Sequence, residues 1–416
     1  MSKLRLVFKR AVIIATALVL VGMVNSCSAQ KTTIRFVGMI YAGQMLDWYQ
    51  KSVLDKFEKV NPEIKVELEV TPWGEAYSRY IAWIAANKSP ELGMGGAKWI
   101  VGFYEAGGLE SLDEYMSSEF KDTFIQSLLK PCEREGELYG LPTLSSTRGL
   151  IYNVGLLEKA GVGNFPSLEN IWSWYDFIQA GSKVAQLPGV DGYGYDAKEI
   201  DSAIWDYMYW MFSAGGSFVD AEGNWCVNSP ENIYALEFMR DMTKKYKITP
   251  AYPIATGKKD IWELFCKSKI AMAIDTGELV KKAREEASEI NLDIGPVPVA
   301  QAPGELAVID TIYMFKAGEQ KEAAWKLVEF LFSNPIHLSF VEKTGLFAVT
   351  KDVSKQYPTD PATQKIAALL PRATVYPIKE GWDIVNDGVI KAEQSVLLGE
   401  QSPREAMDEL QKKLER

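Results

Sequence analysis

Ile64, Val66, Leu68 and Val70 alternate with polar residues, the period of a strand with one buried face. Just before them, Val53, Leu54 and Phe57 recur at helical spacing within 49–60, and Asn61-Pro62 ends that helix. Residues 33–39 read as an earlier strand, with Gly38 leaving room for a close approach at its end. Strand, helix, strand in that order is the repeating unit of an α/β sheet. A helix over 73–87 and a glycine-rich stretch at 93–96 follow. The glycines lack the Lys-Ser/Thr of a nucleotide phosphate loop and are expected to form a loop of close backbone approach beside a cleft.

Residues 138–142 and 147–152 are short extended pieces joined by a small polar link, the form a passage between domains takes. Helices are expected over 174–187, 203–214 and 233–246, the second stopped by Gly215-Gly216. Residues 270–274 are apolar throughout, which predicts a strand buried on both faces. That strand delivers Asp275, Thr276 and Gly277 at its tip, where open α/β sheets bind ligands. Residues 294–298 read as a strand entering a second passage, 319–332 as an amphipathic helix and 345–349 as a third passage. The chain closes with helices over 382–398 and 403–414, Pro403 opening the last one. Three short passages would let two lobes open and close without losing alignment.

The N-terminus stands apart from this pattern. Lys3, Arg5, Lys9 and Arg10 precede 14 uncharged residues at 11–24, the charge and length of a signal peptide rather than a membrane span. Val24-Asn25-Ser26-Cys27 resembles a lipoprotein cleavage site, with Asn25 the weakest match; residues 1–26 are expected to leave and Cys27 to be lipidated. Four positive charges go with the leader and no negative ones, so the formal charge of −10 becomes about −14. A body this acidic repels nucleic acid and anionic lipid, so the expected membrane link is the lipid anchor. Some 390 residues remain, enough for two cored lobes. Cys132, Cys226 and Cys266 permit one disulfide or three buried thiols. Neither they nor His337, placed in a helical stretch as a packing or surface residue, have metal-ligand spacing, and no cofactor motif is present.

The ordered segments resemble the family 1 extracellular solute-binding proteins of ABC importers, of the maltose- and oligosaccharide-binding type. The resemblance rests on Phe57-Glu58-Lys59-Val60-Asn61-Pro62-Glu63-Ile64-Lys65-Val66 and on Ala106-Gly107-Gly108-Leu109-Glu110-Ser111-Leu112-Asp113. It is carried further by 136–142 followed by Leu150-Ile151-Tyr152-Asn153, then by 269–277, 344–352 and 398–410. It implies a periplasmic-binding-protein-like α/β fold with a ligand cleft between two discontinuous lobes. The N-terminal lobe would use 31–142 and 299–344, the C-terminal lobe 149–298 and 350–416. The hinge crossings would be 143–148, about 295–299 and 345–349. The implied function is capture of a sugar by a monomeric protein outside the cytoplasm and its delivery to the permease subunits of an importer.

Sugar recognition uses aromatic rings against C–H faces and charged or amide groups for the hydroxyls. The aromatic candidates are Trp73 after the second strand, Trp99 after the glycines, Trp205 in a helix shared with Tyr209 and Trp210, and Trp382. Trp382 lies where the resemblance places a late stacking ring, though it could equally cap its helix against the core. The polar candidates are Tyr41 and Gln44 after the first strand, Arg148 with Ser146 at the first passage, and Asp275 with Thr276. Asp310 is read either as a contact or as a surface turn. Maltose-type members carry a tryptophan shortly after the glycine of the second-lobe loop; here Glu278 stands in that neighbourhood, which argues against maltodextrin while leaving oligosaccharides generally in play, and the expected ligand is a neutral di- to tetrasaccharide. Glu278 could instead serve as a first-turn acid of the next helix. Arg148 and Lys98 would suit an acidic sugar. A glycosidase would also line its cleft with rings and carboxylates, but no spacing singles out a catalytic pair.

Overall fold

The computed structural model describes residues 31–41, 45–198, 202–377 and 379–415; the expectations for the leader, Cys27 and Gln44 lie outside them. In chain order the main strands are β1 (Thr32–Met39), β2 (Ile64–Thr71), β3 (Leu92–Gly96), β4 (Leu141–Ser146), β5 (Gly149–Asn153), β6 (Asp191–Gly194), β7 (Ile270–Asp275), β8 (Leu292–Gly295), β9 (Leu306–Met314) and β10 (Thr374–Val375). The helices framing the cleft are α1 (Trp73–Ala85), α2 (Ile100–Glu105), α3 (Ala203–Ser213), α4 (Lys258–Cys266), α5 (Gly277–Glu286), α6 (Asn334–Thr344) and α7 (Trp382–Leu398).

Two sheets result. The first runs β10-β9-β3-β1-β2, and β4 also pairs with β9. Within it β1 is parallel to β2 and β3, while β9 is antiparallel to β3 and β4. The second runs β8-β5-β7-β6, with β6 parallel to β7 and β5 antiparallel to both its neighbours. Each sheet has its own core. Phe36, Phe57, Tyr80, Phe103 and Phe124 centre the first. Tyr193, Tyr207, Trp210 and Met239 centre the second, and Phe265, Ile270 and Leu279 belong to a further cluster with Ile151 and Ala273. The molecule is therefore a pair of α/β lobes, the periplasmic-binding-protein-like arrangement.

Most expected elements form where the periodicity placed them, and α7 has the expected ends. All six residues of β7 are buried, in keeping with its unbroken apolar run. The glycines at 93–96 differ: they form β3, a fully buried strand and not a loop. A Cβ on Gly95 would stand 2.2 Å from the Trp99 ring, and one on Gly93 2.7 Å from the Tyr80 hydroxyl. Glycine is needed there because aromatic rings pack flush on the strand. The longest strand, β9, had no counterpart in the sequence reading, and Asp310 lies inside it, 8% exposed, rather than in a surface turn.

The chain changes lobes between β4 and β5, through Thr147 and Arg148. It returns along β9, where Leu306 and Val308 pack in the second core and Ile309 onward in the first. That return is later than 295–299, because Ala300 and Gln301 are still held by Ser213 of the second lobe. In the third passage Phe347 packs beside Ile151, while Leu346, Ala348 and Val349 join the first core. Val353 joins it too, so the final departure from the first lobe falls after residue 353, later than the expected 349. Where the lobes meet, Gly345 ends α6 in a left-handed conformation (φ +79°) against Gly277; a Cβ on Gly277 would meet the Gly345 carbonyl oxygen at 2.4 Å.

Candidate ligand cleft

The two sheets send their strand ends toward one another. Tyr41 follows β1, Trp73 opens α1 straight after β2, and Lys98 and Trp99 follow β3. From the other lobe Asp196 follows β6, and Asp275 ends β7 with Thr276 behind it. Arg148 sits on the first passage. Asp310 lies in β9 where its pairing with β4 is irregular: Asp310 faces Leu144 and Thr311 faces Pro142, so Thr143 of β4 is the extra residue.

Lys258, the first residue of α4, is central. Its Nζ lies 3.5 Å from Asp275 Oδ1 and 4.0 Å from Glu278 Oε2, and it sits over the Trp262 ring at 5.2 Å. Burial alone would lower its pKa, but the carboxylates of Asp275 and Glu278 more than offset this and leave it raised. Asp275 also accepts from Trp262 Nε1 at 2.5 Å and from the Thr276 amide at 2.7 Å. Thr276 caps α5 by accepting from the Glu278 amide at 3.2 Å. Glu278 is thus both a first-turn acid of α5 and a charge in the cleft.

On the first-lobe side, burial and then the Glu278 carboxylate raise the Asp310 pKa to about 7, against the nearby Tyr41 hydroxyl, Arg148 and Lys258. The Tyr41 hydroxyl is buried against the Asp310 carboxylate. Asp206, in α3, lines a small, partly open cavity together with Asp196, Trp205, Tyr209, Lys258 and Asp275. Burial raises the Asp206 pKa well above its ordinary value, and the charges of Asp196 and Asp275 add to this.

The rings divide unequally. Trp205 carries cations on its face: Lys98 Nζ lies 4.5 Å and the Arg148 guanidinium 5.9 Å from its centroid. Trp73 is half-buried, edge-on to Tyr41. Trp99 is a core residue among Trp73, Tyr77, Tyr80 and Phe103, and Trp382 packs between Phe218 and Tyr376. Trp382 is 3% exposed, and the Tyr376 ring lies against both it and Trp205.

The lobes touch across the cleft. Tyr77 of α1 donates a 2.7 Å hydrogen bond to Asp383 of α7, Lys98 of one lobe lies over Trp205 of the other, and Lys281 of α5 bonds the Glu342 carbonyl of α6 at 3.2 Å. Gly102 of α2 makes room for the first of these; its Cβ would lie 2.3 Å from the Tyr77 hydroxyl.

The family model for bacterial extracellular solute-binding proteins matches residues 42–336. A Brucella abortus binding protein is 31% identical over 360 residues, 85% of this chain and 86% of its own length. The chain belongs to the bacterial extracellular solute-binding protein family. A solute-binding protein of an ABC transporter from Thermotoga lettingae, bound with α-D-tagatose, has a similar structure: TM-score 0.84, 25% identity, covering 92% of this chain and 99% of that one. An arabinooligosaccharide-binding protein of Bacillus subtilis is 25% identical over 238 residues, 55% of this chain and 53% of its own. A solute-binding protein holds its solute outside the cytoplasm and does no chemistry on it, so this chain is not an enzyme.

Of the cleft residues in this solute-binding protein, Tyr41, Trp73, Arg148, Trp205, Asp275, Thr276 and Glu278 were legible beforehand. Lys258, Asp206 and Trp262 were not singled out. Asp206 did carry a signal, being the one charge in the aromatic run Ala203-Ile204-Trp205-Asp206-Tyr207-Met208-Tyr209-Trp210. Asp310 carried a similar one, as the one acid in the apolar run of β9. Lys258 had none, since it opens an ordinary Lys-Lys-Asp helix start. Cys132, Cys226 and Cys266 are all free thiols. His337 is a packing residue, 1% exposed. Among the described residues no group of three or more ligating side chains could hold a metal ion, and no helix is long and apolar enough to cross a membrane.

Proposed function

We propose that this protein captures a short sugar, a di- to tetrasaccharide, and delivers it by lobe closure to the permease of an ABC importer. One observation supports the reading: the rings of Trp205 and Trp73 and polar groups from both lobes gather between them, Tyr41 and Asp310 from one, Asp206, Lys258, Asp275, Thr276 and Glu278 from the other, with Arg148 between, and these are the proposed ligand contacts. A ligand touching both sets stabilises the closed form, and the strength of that bias is the difference in its contacts between open and closed states. The tagatose-bound structure and the arabinooligosaccharide-binding relative support a sugar as the solute and an ABC importer as its destination. Gln44 belongs to the same proposed set by its place after β1.

The proposed lobe boundaries follow 31–142 with 299–344 and 149–298 with 350–416, adjusted at β9 and Val353 as described. The mature monomer is proposed to be held at the membrane by acylated Cys27. Changing Cys27→Ser is expected to move the protein from the membrane fraction to the soluble one; retention at the membrane would overturn the anchor. For the ligand, calorimetry with a panel of oligosaccharides is expected to give a one-to-one isotherm in the micromolar range or tighter. A broad panel without heat or thermal shift would overturn the sugar reading.

A further inference from the structure

The last carbonyls of a helix lack the amides of a following turn. At the end of α6 the Val341 carbonyl accepts from the Gly345 amide at 2.8 Å and the Phe340 carbonyl from the Thr344 hydroxyl at 3.0 Å. The carbonyls of Glu342 and Lys343 both accept from the Lys281 ammonium, the first at 3.2 Å. A cation suits this place, since the carbonyl end of a helix carries partial negative charge. Lys281 comes from the opposite lobe. It stands on α5, whose Leu279, Val280 and Ala283 are buried with Ile261, Phe265 and Ile270, whereas Ile336, Phe340 and Val341 hold α6 in the first core.

A second contact lies beside it. Gly277, which opens α5, packs against Gly345, which ends α6 and begins the third passage. Two points of contact, glycine on glycine and lysine on carbonyls, fix the direction of α5 against α6. Thr276 and Glu278 stand at the head of the same α5, and Lys281 follows Glu278 by three residues. That is one helical turn, about 4.5 Å of rise, with both side chains on one side. So short a stretch of hydrogen-bonded helix does not bend easily, and a displacement of its head is passed to α6. Arg284, one turn further on, bonds Asp360 at 2.8 Å and ties α5 down within its own lobe.

We propose that Lys281 is a positioning residue for lobe movement: with Gly277 and Gly345 it forms the pivot on which the second lobe turns against the first at the third passage. Without the ammonium this edge loosens, and the lobes stand further apart on average. A looser pivot lowers the fraction of molecules in which both lobes can grip a solute, and the apparent affinity falls with that fraction. The link from pivot to capture rests on the reading of Thr276 and Glu278 as ligand contacts; the pivot itself does not.

Small-angle scattering of the intact protein without added sugar tests the pivot, so the outcome does not depend on which solute binds. Lys281→Met keeps the apolar stem and removes the ammonium. Its radius of gyration is expected to exceed that of the wild type by about 1 Å, the scale of helix shifts at an interface. Lys281→Arg keeps a donor and is expected to keep the wild-type radius. Urea midpoints are measured alongside, and Lys281→Gln, uncharged and one bond shorter, replaces the Met variant if that one does not fold. A folded Met or Gln variant with the wild-type radius would overturn the pivot even if its urea midpoint falls, because a lower midpoint is all that the loss of a merely stabilising bond would show. An Arg variant as expanded as the Met variant would overturn it too. If the calorimetric panel above yields no sugar, the reading of the solute falls while the scattering result still decides the pivot.

Discussion

Asp310 shows how a binding cleft is built at the cost of stability. A carboxylate held in β9 at 8% exposure, with Glu278 nearby, is harder to ionise in the folded chain than in the unfolded one. Its pKa is raised from 3.8 to about 7, so it contributes stability that is full below pH 3.8 and is lost as the pH rises through about 7. Asp310→Asn is therefore expected to raise stability at pH 8 by on the order of 3 kcal/mol while weakening ligand binding. Urea denaturation at pH 8 and calorimetry check the two halves, and a variant less stable than wild type would refute the account of Asp310. His337 acts in the opposite direction. Its Nε2 donates to the Thr143 carbonyl at 3.2 Å and its Nδ1 accepts from the Thr350 hydroxyl at 3.0 Å, tying together the segments beside the first and third passages. Burial lowers its pKa from 6.5 to about 4, so the unfolded chain takes up the proton first as pH falls. Stability is expected to drop by on the order of 3 kcal/mol between pH 6.5 and 4 through this residue, and His337→Gln is expected to flatten that part of the pH–stability curve.

At the scale of elements, the decisive contacts are between strands and the rings that lie on them. Gly95 of β3 is the clearest case, since an added methyl group would meet the Trp99 ring at 2.2 Å. Trp99 is a core ring adjoining Lys98, so the clash would disturb both folding and the cleft. Gly95→Ala is expected to cost about 1–3 kcal/mol, read from the urea midpoint. This is also where sequence reading reaches its limit. Elements with one buried face, such as β2, show their period directly, and helices with capping residues, such as the last one at Pro403, show their ends. β3 and β9 are buried on both faces, so neither has an alternating pattern; β3 is besides rich in glycine and resembles a loop. The same reasoning covers the cleft. Residues directly after strands, such as Tyr41 and Asp275, follow from local order, whereas Lys258 reaches the cleft only through the packing of α4 against β7 and α5, which no local pattern records.

At the scale of the whole molecule, affinity depends on how readily the lobes close as well as on direct contacts. The Tyr77–Asp383 hydrogen bond joins the two lobes at the edge of the cleft, exposed to solvent. Around it, Glu105 faces Glu380 and Asp383 across the lobes; burial and then those charges raise its pKa, while Arg134 opposes them. Tyr77→Phe removes the bond and leaves the ring, and is expected to weaken ligand affinity about 2- to 10-fold, the range of one exposed hydrogen bond to a charged group. Calorimetry reads it, and unchanged affinity would mean that the pair does not favour closure. The central claim is that both lobes grip a short sugar and close on it. Small-angle scattering of the protein with and without a saturating oligosaccharide tests this most directly. The account predicts a smaller radius of gyration with the sugar, lost in Trp205→Ala; a sugar that binds at full affinity with no change in radius would contradict it.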